Sequence, residues 1–214
     1  MTCVKWLSLI RLFKVEVSVR KMSQQMGLSY RAVYRAVSAI HFSILSHAGD
    51  AERLLGGEIE LDESYFGGKR KGKRGRGAAG KVPVFGILER DGVVQVTVVP
   101  DVSAETLLGL TVKKVRRGSV VYTDKFKSYD SLMFCGYRHL SVDHQKRFSS
   151  GKAYINGLEG FWSWASERFI KHHGVSKEHF PLYLKDLEFR YNNRHSDIFD
   201  KIANYLCDPV PKRD

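Results

Sequence analysis

Hydrophobic positions recur at helical spacing through residues 1–45 and at alternating spacing from Glu58 onward, so the chain changes character at Gly56-Gly57. Trp6, Leu7, Ile10 and Phe13 predict a first amphipathic helix. Ser18 is placed to cap a short helix through Met26, Gly27 to turn the chain, and Ser29 to cap a second helix to about Ile40. That is helix-turn-helix spacing. In its second helix Val33, Val37 and Ile40 fall on the inner side. Tyr30, Arg31, Tyr34, Arg35 and Ser38 fall on the outer side, with the donors and cations that contact bases and phosphates. The same pattern also describes an ordinary helical hairpin with a basic face.

After the connector at residues 46–57, EIELDESYFGG predicts a strand with Ile59 and Leu61 on one face and Glu60 and Asp62 on the other. Alternation turns Glu63 away from Asp62. VPVFGILER and GVVQVTVVP read as strands joined by a tight Arg90-Asp91-Gly92 turn. Ser103 caps a helix to about Lys114, Val120 and Val121 begin a buried strand ending at Asp124, and a short helix starts at Ser128. RHLSVDH is a last strand, and Glu178–Asn192 a last helix with Phe180, Leu184, Leu187 and Tyr191 on its apolar side. The expected fold is therefore α/β: a mixed five-stranded sheet flanked by helices over residues 56–207, preceded by a small all-α helix-turn-helix domain over residues 1–50.

Between the last strand and the last helix, Ala153–Gly174 predicts another helix. Ile155, Leu158, Trp162, Ala165 and Phe169 make one apolar stripe, and Asn156, Glu159 and Ser163 lie on the stripe beside it. A single Glu there reads as a solvated residue as readily as a ligand. Asp62 on the first strand and Asp124 at the end of the fourth share its placement, at a strand or on the helix covering the sheet. Trp162 and Trp164 read as core.

Composition narrows the partner. Thirty-five Lys and Arg against twenty-three Asp and Glu leave a net charge of +12 in 214 residues, which suits a polyanion such as nucleic acid. Lys69, Arg70, Lys71, Lys73, Arg74 and Arg76 crowd a Gly-rich loop suited to a phosphate backbone, although a solvated loop has the same composition. No stretch has the length of a membrane span, and Cys3, Cys135 and Cys207 form no CxxC pair, which fits a reducing cytoplasm.

ELDESYFGG, YTDKFKSYD, NGLEGFWSWASERFIKHHGV and HFPLYLKDLEFRYNNR together resemble the DDE transposases of bacterial insertion sequences, in the small group with an INGxExFW helix. These share an RNase-H-like fold with retroviral integrases. The resemblance spans roughly Gly56 to the C-terminus. It implies cleavage at the element's terminal inverted repeats and joining of the 3′-hydroxyl ends to target DNA, with two Mg²⁺ ions, for which Mn²⁺ substitutes. Asp62 would bridge both ions, with Asp124 on one and Glu159 on the other. Asn156 would orient phosphate or water, or simply start the helix; His144 would contact phosphate or leaving group, or simply end a strand. Tyr154 stands where many relatives have His. The partners implied are double-stranded DNA and a second copy in a synaptic homodimer, with no membrane, in the cytoplasm at the nucleoid. An RNase-H-like nuclease and a non-catalytic DNA-binding relic are the alternatives.

Overall fold

The structure, a computed structural model, describes residues 1–48, 53–67, 81–124, 132–142, 155–171 and 175–208. Its elements run α1 (Cys3–Lys14), α2 (Val19–Met26), α3 (Tyr30–Ser46), β1 (Glu58–Phe66), β2 (Val82–Glu89), β3 (Val94–Val98), α4 (Ala104–Lys114), β4 (Val120–Asp124), β5 (Arg138–Val142), α5 (Asn156–Phe169), α6 (Phe180–Asn192) and α7 (Phe199–Cys207). The chain divides into two compact units, Met1–Ala48 with Leu182–Asp214, and Gly49–Pro181.

In the sheet unit the strand order is β3-β2-β1-β4-β5. β2 runs antiparallel to β1 and β3, whereas β4 runs parallel to β1 and β5. An antiparallel meander joined to parallel crossovers in this order is the RNase-H-like arrangement, as the sequence resemblance implies. The β2–β3 hairpin closes through Asp91, which takes a left-handed φ of 58°. One face of the sheet buries Ile59, Leu61, Phe85, Ile87 and Val121 with Leu107 of α4. The other face carries α5; of its predicted stripe Ile155, Leu158, Trp162 and Ala165 are buried and Phe169 is half-buried. Asn156, Glu159 and Ser163 are exposed.

Two glycines let α5 approach the sheet. A Cβ on Gly86, in the middle of β2, would sit 2.6 Å from the Trp162 ring, and one on Gly157 would sit 2.3 Å from Leu88 and 2.9 Å from Glu60. A glycine inside a strand commonly marks such a close approach. The helix is regular from Asn156 to Phe169; residues 153–154 and 172–174, which include the expected ends at Ala153 and Gly174, lie outside the described residues.

In the helical unit Ser18 and Ser29 cap α2 and α3 through Lys21 N–H and Ala32 N–H, and Gly27 turns the chain between them at φ 60°. α3 continues to Ser46, past Ile40, because His41 and Ile44 are buried as well. The unit is larger than residues 1–50. Phe189 of α6, with Ile198 and Ile202, joins Leu9, Ile10, Phe13, Val33 and Ile40 in one core. α7 is a helix that the sequence reading lacks, and Asp197 accepts from Phe199 N–H at its start. An amphipathic pattern shows that a helix has an apolar side but does not say which unit covers it.

Arg190 ties this core together. Its Nε donates to both oxygens of Asp186 at 3.0 Å, and its other nitrogens donate to the carbonyls of Phe13 and Lys14, the last residues of α1. Both partners of the ion pair are nearly buried, with side chains 9% and 7% exposed. Removing one partner of such a pair leaves an uncompensated buried charge. Arg190→Ala should therefore lower the unfolding free energy in urea by about 3–5 kcal/mol. Arg190→Lys should recover only part, since an ammonium lacks the planar fork. An unchanged urea midpoint for Arg190→Ala would contradict this role.

Candidate active site

The site begins with the alternation of β1. Glu60 and Asp62 lie on the face that α5 covers, and Ile59 and Leu61 lie on the face that α4 covers. Asp62 stands opposite Gly86 in the β1–β2 register. The Trp162 ring fills the space left by the missing Cβ and donates its indole N–H to Asp62 Oδ2 at 3.1 Å. Asp62 Oδ1 accepts the backbone N–H of Glu63 at 2.9 Å. Trp162 is thus a core residue with one polar edge turned to the site.

Asp62 has its carboxyl pushed up to about 7, chiefly by burial. The charge of Glu63 raises it next, Asp124 adds to the rise, and the two N–H donors from Glu63 and Trp162 oppose it. Asp124 reaches this neighbourhood because β4 runs parallel to β1 and ends there. The structure therefore brings Asp62 and Asp124 into electrostatic contact. Glu63, which alternation turns away, is buried and still acts on Asp62 through its charge.

Glu159 and Asn156 occupy the exposed side of the first turn of α5. Among the described residues, no group of three His, Cys, Asp or Glu side chains is close enough to hold a metal ion, so Glu159 does not complete a three-carboxylate cluster with Asp62 and Asp124. His144, Tyr154 and the basic loop residues Lys69, Arg70, Lys71, Lys73, Arg74 and Arg76 lie outside the described residues. In the helical unit Tyr30, Arg31, Tyr34 and Arg35 are all exposed on α3, and the two tyrosine rings stack at 6.2 Å.

Three residues of consequence are missing from the sequence reading as site residues. Gly86 and Gly157 admit α5 to the sheet, and Glu60 accepts the backbone N–H of Leu158 at 3.0 Å. The signals for them were a glycine within an otherwise apolar strand, a glycine between Asn156 and Leu158, and a carboxylate sharing the face of Asp62.

The ISXO2-like transposase domain family matches residues 54–192. An uncharacterized transposase-like protein of Haemophilus influenzae is 44% identical over 110 residues, covering 51% of this chain and 88% of that protein. An uncharacterized protein in the transposable element ISH50 of Halobacterium salinarum is 31% identical over 209 residues, covering 87% of this chain and 68% of that protein. Among solved structures, the catalytic core domain of BIV integrase has a TM-score of 0.39 at 11% identity, covering 73% of this chain and 85% of that one. The Mos1 strand transfer complex has a TM-score of 0.40 at 13% identity, covering 97% of this chain and 78% of that one.

The indole N–H of Trp162 is a built-in reporter of Asp62. Without divalent ions, its NMR resonance should titrate with a midpoint of about 7, and Asp124→Asn should lower that midpoint. A carboxyl raised above its unfolded value contributes stability that is complete below about pH 4 and is lost as pH rises through about 7. The metal-free protein should therefore lose stability across that window, and a flat profile there would contradict the assignment. Gly86→Ala should displace the Trp162 ring, shift this resonance and destabilise the chain by about 1–3 kcal/mol. Unchanged indole and melting curves would show that the ring tolerates the added methyl.

Proposed function

The chain belongs to the ISXO2-like transposase domain family, and from that premise we propose that it cleaves DNA at the terminal inverted repeats of its own element and joins the freed ends to target DNA. The carrying observation is Asp62, held against α5 by the Trp162 indole and raised to about 7 by burial and by the charges of Glu63 and Asp124. Such a carboxyl group either keeps its proton and stays neutral or is stabilised in its charged form by a cation.

The donor set fits Mg²⁺, with Mn²⁺ as a substitute, since carboxylate oxygens are the hard ligands these ions take, with water and phosphate completing the shell. Two such ions, when bound, would neutralise the scissile phosphate and lower the pKa of the attacking water. In this reading Asp62, Asp124 and Glu159 would hold the ions, Glu159 from the exposed first turn of α5. Asn156, in the same turn, orients the phosphate or a water, and His144 contacts the phosphate or leaving group.

Two displacements account for the reaction. In the first, the water oxygen bonds to phosphorus as the P–O3′ bond breaks; the water loses one proton and the leaving 3′ oxygen takes one up, which gives a 3′-hydroxyl. In the second, that hydroxyl attacks a phosphorus of target DNA, and the bond to the target's own 3′ oxygen breaks. One phosphodiester replaces another, with no covalent enzyme intermediate. The side chains supply position and charge rather than a nucleophile.

Terminal-repeat recognition falls to α3, through Tyr30, Arg31, Tyr34 and Arg35, with Lys69, Arg70, Lys71, Lys73, Arg74 and Arg76 following the phosphate backbone. Two ends have to be paired, which favours a homodimer on double-stranded DNA, acting in the cytoplasm at the nucleoid. Among the described residues no helix is long and apolar enough to cross a membrane.

The test uses purified protein, Mg²⁺ and a plasmid carrying the element's ends, with Asp62→Ala and Glu159→Ala in parallel. Wild type should nick at the ends and give joined products, and both variants should give neither. Cleavage without joining, and without regard to the ends, would favour an RNase-H-like nuclease, and binding with no Mg²⁺-dependent cleavage would leave a DNA-binding relic. In filter binding, Arg31→Ala and Arg35→Ala should each weaken affinity for end DNA and reduce the salt slope by about 1. An unaltered slope would move recognition off α3.

A further inference from the structure

A second set of side chains lies behind the site and touches every element that carries a candidate carboxylate. Glu60, two positions before Asp62 on the same face of β1, is 1% exposed. Its Oε2 accepts the Leu158 N–H at 3.0 Å, and its Oε1 accepts from Arg90 Nε at 3.0 Å. Arg90, just past the end of β2, also pairs with Glu58 at 2.9 Å, and its guanidinium lies 3.7 Å from the centre of the Tyr122 ring. Tyr122 stands opposite Glu60 in the β1–β4 register, two positions before Asp124, and Leu158 directly precedes Glu159.

Physical reasons favour this arrangement. The N-cap position of α5 is Ile155, which has no side-chain acceptor for the orphan amides of the first turn. Glu60 supplies that acceptor from the sheet, and its negative charge lies at the positive end of the helix dipole. Gly157 makes the approach possible, since a Cβ there would collide with this same carboxylate. A carboxylate so buried needs a cation, and Arg90 supplies one that is itself held flat against an aromatic ring.

We propose that Glu60 and Arg90 are positioning residues for DNA cleavage by this chain. They hold β1, β4 and α5 in one frame, which fixes the backbone positions of Asp62, Asp124 and Glu159 relative to one another. Neither touches the reacting atoms. The role rests on those three carboxylates forming the reacting site, as proposed above.

The experiment compares Glu60→Gln and Arg90→Lys with Leu107→Ala, a core truncation on the other face of the sheet, all in the full chain. Four quantities are read: the melting temperature, the hydrogen-exchange rate of the Leu158 amide without metal, and kcat and KM for cleavage of end DNA in Mg²⁺. Glu60→Gln should speed Leu158 exchange at least roughly tenfold. It should lower kcat by roughly 10–100-fold, the usual effect of removing a support behind a ligand, with KM for DNA nearly unchanged. Arg90→Lys, which keeps the charge but not the fork or the stacking, should fall between it and wild type. Leu107→Ala should lower the melting temperature while leaving Leu158 exchange and kcat near wild type. Active Glu60→Gln with unaltered Leu158 exchange, or a kcat loss matched by Leu107→Ala, would overturn the role while leaving the reading of the site intact. Wild-type protein that cleaves nothing would overturn the reading of the site and the role with it. If Glu60→Gln does not fold, Arg90→Lys carries the same comparison.

Discussion

Contact between α5 and the open face of the sheet depends on two missing methyl groups. At Gly86 and Gly157 any side chain would meet Trp162, Leu88 or Glu60 well inside van der Waals distance. Because both positions are bare, the helix lies low enough for its indole to reach Asp62 and for its first-turn amide to reach Glu60. Packing and polar contacts therefore reinforce one another: the hydrophobic stripe of α5 provides the burial, and the hydrogen bonds select its axial position. A helix raised by even an ångström would retain much of its apolar contact and lose both polar ones.

The electrostatics of the site oppose the fold locally. Burial, Glu63 and Asp124 all disfavour an ionised Asp62, and two N–H donors only partly offset them. Behind the site the balance is reversed. Glu60 shares the same face but is matched by Arg90 and a helix amide. One strand thus carries two carboxylates of opposite character, one compensated within the protein and one left in need of an external positive charge.

Much of this was legible in the chain. Alternation in EIELDES separated Asp62 from Ile59 and Leu61, the three- and four-residue spacing of Ile155, Leu158, Trp162 and Ala165 set the buried side of α5, and Ser18, Gly27 and Ser29 marked the helix-turn-helix. Glu60 was on the correct face, but nothing in a single chain says that an acidic side chain will meet a backbone amide ninety-eight positions away. Arg190 shows the same gap. As a cation near the end of a helix it is equally suited to DNA, and only the tertiary fold commits it to Asp186 and to the carbonyls ending α1. Periodicity reports which side of an element is covered, not what covers it.

The core of the helical unit draws on both ends of the chain, Leu9, Phe13 and Val33 from one and Phe189, Ile198 and Ile202 from the other. In chain order the sheet unit is therefore an insertion within the helical unit. During synthesis the first three helices emerge early but lack the residues that close their core until α6 and α7 leave the ribosome. The sheet unit has all of its strands and α5 well before then. The surface bearing Tyr30, Arg31, Tyr34 and Arg35 is consequently the last part of the protein to gain its full support, and a chain interrupted before α6 carries a complete sheet and an α3 whose core is unfinished.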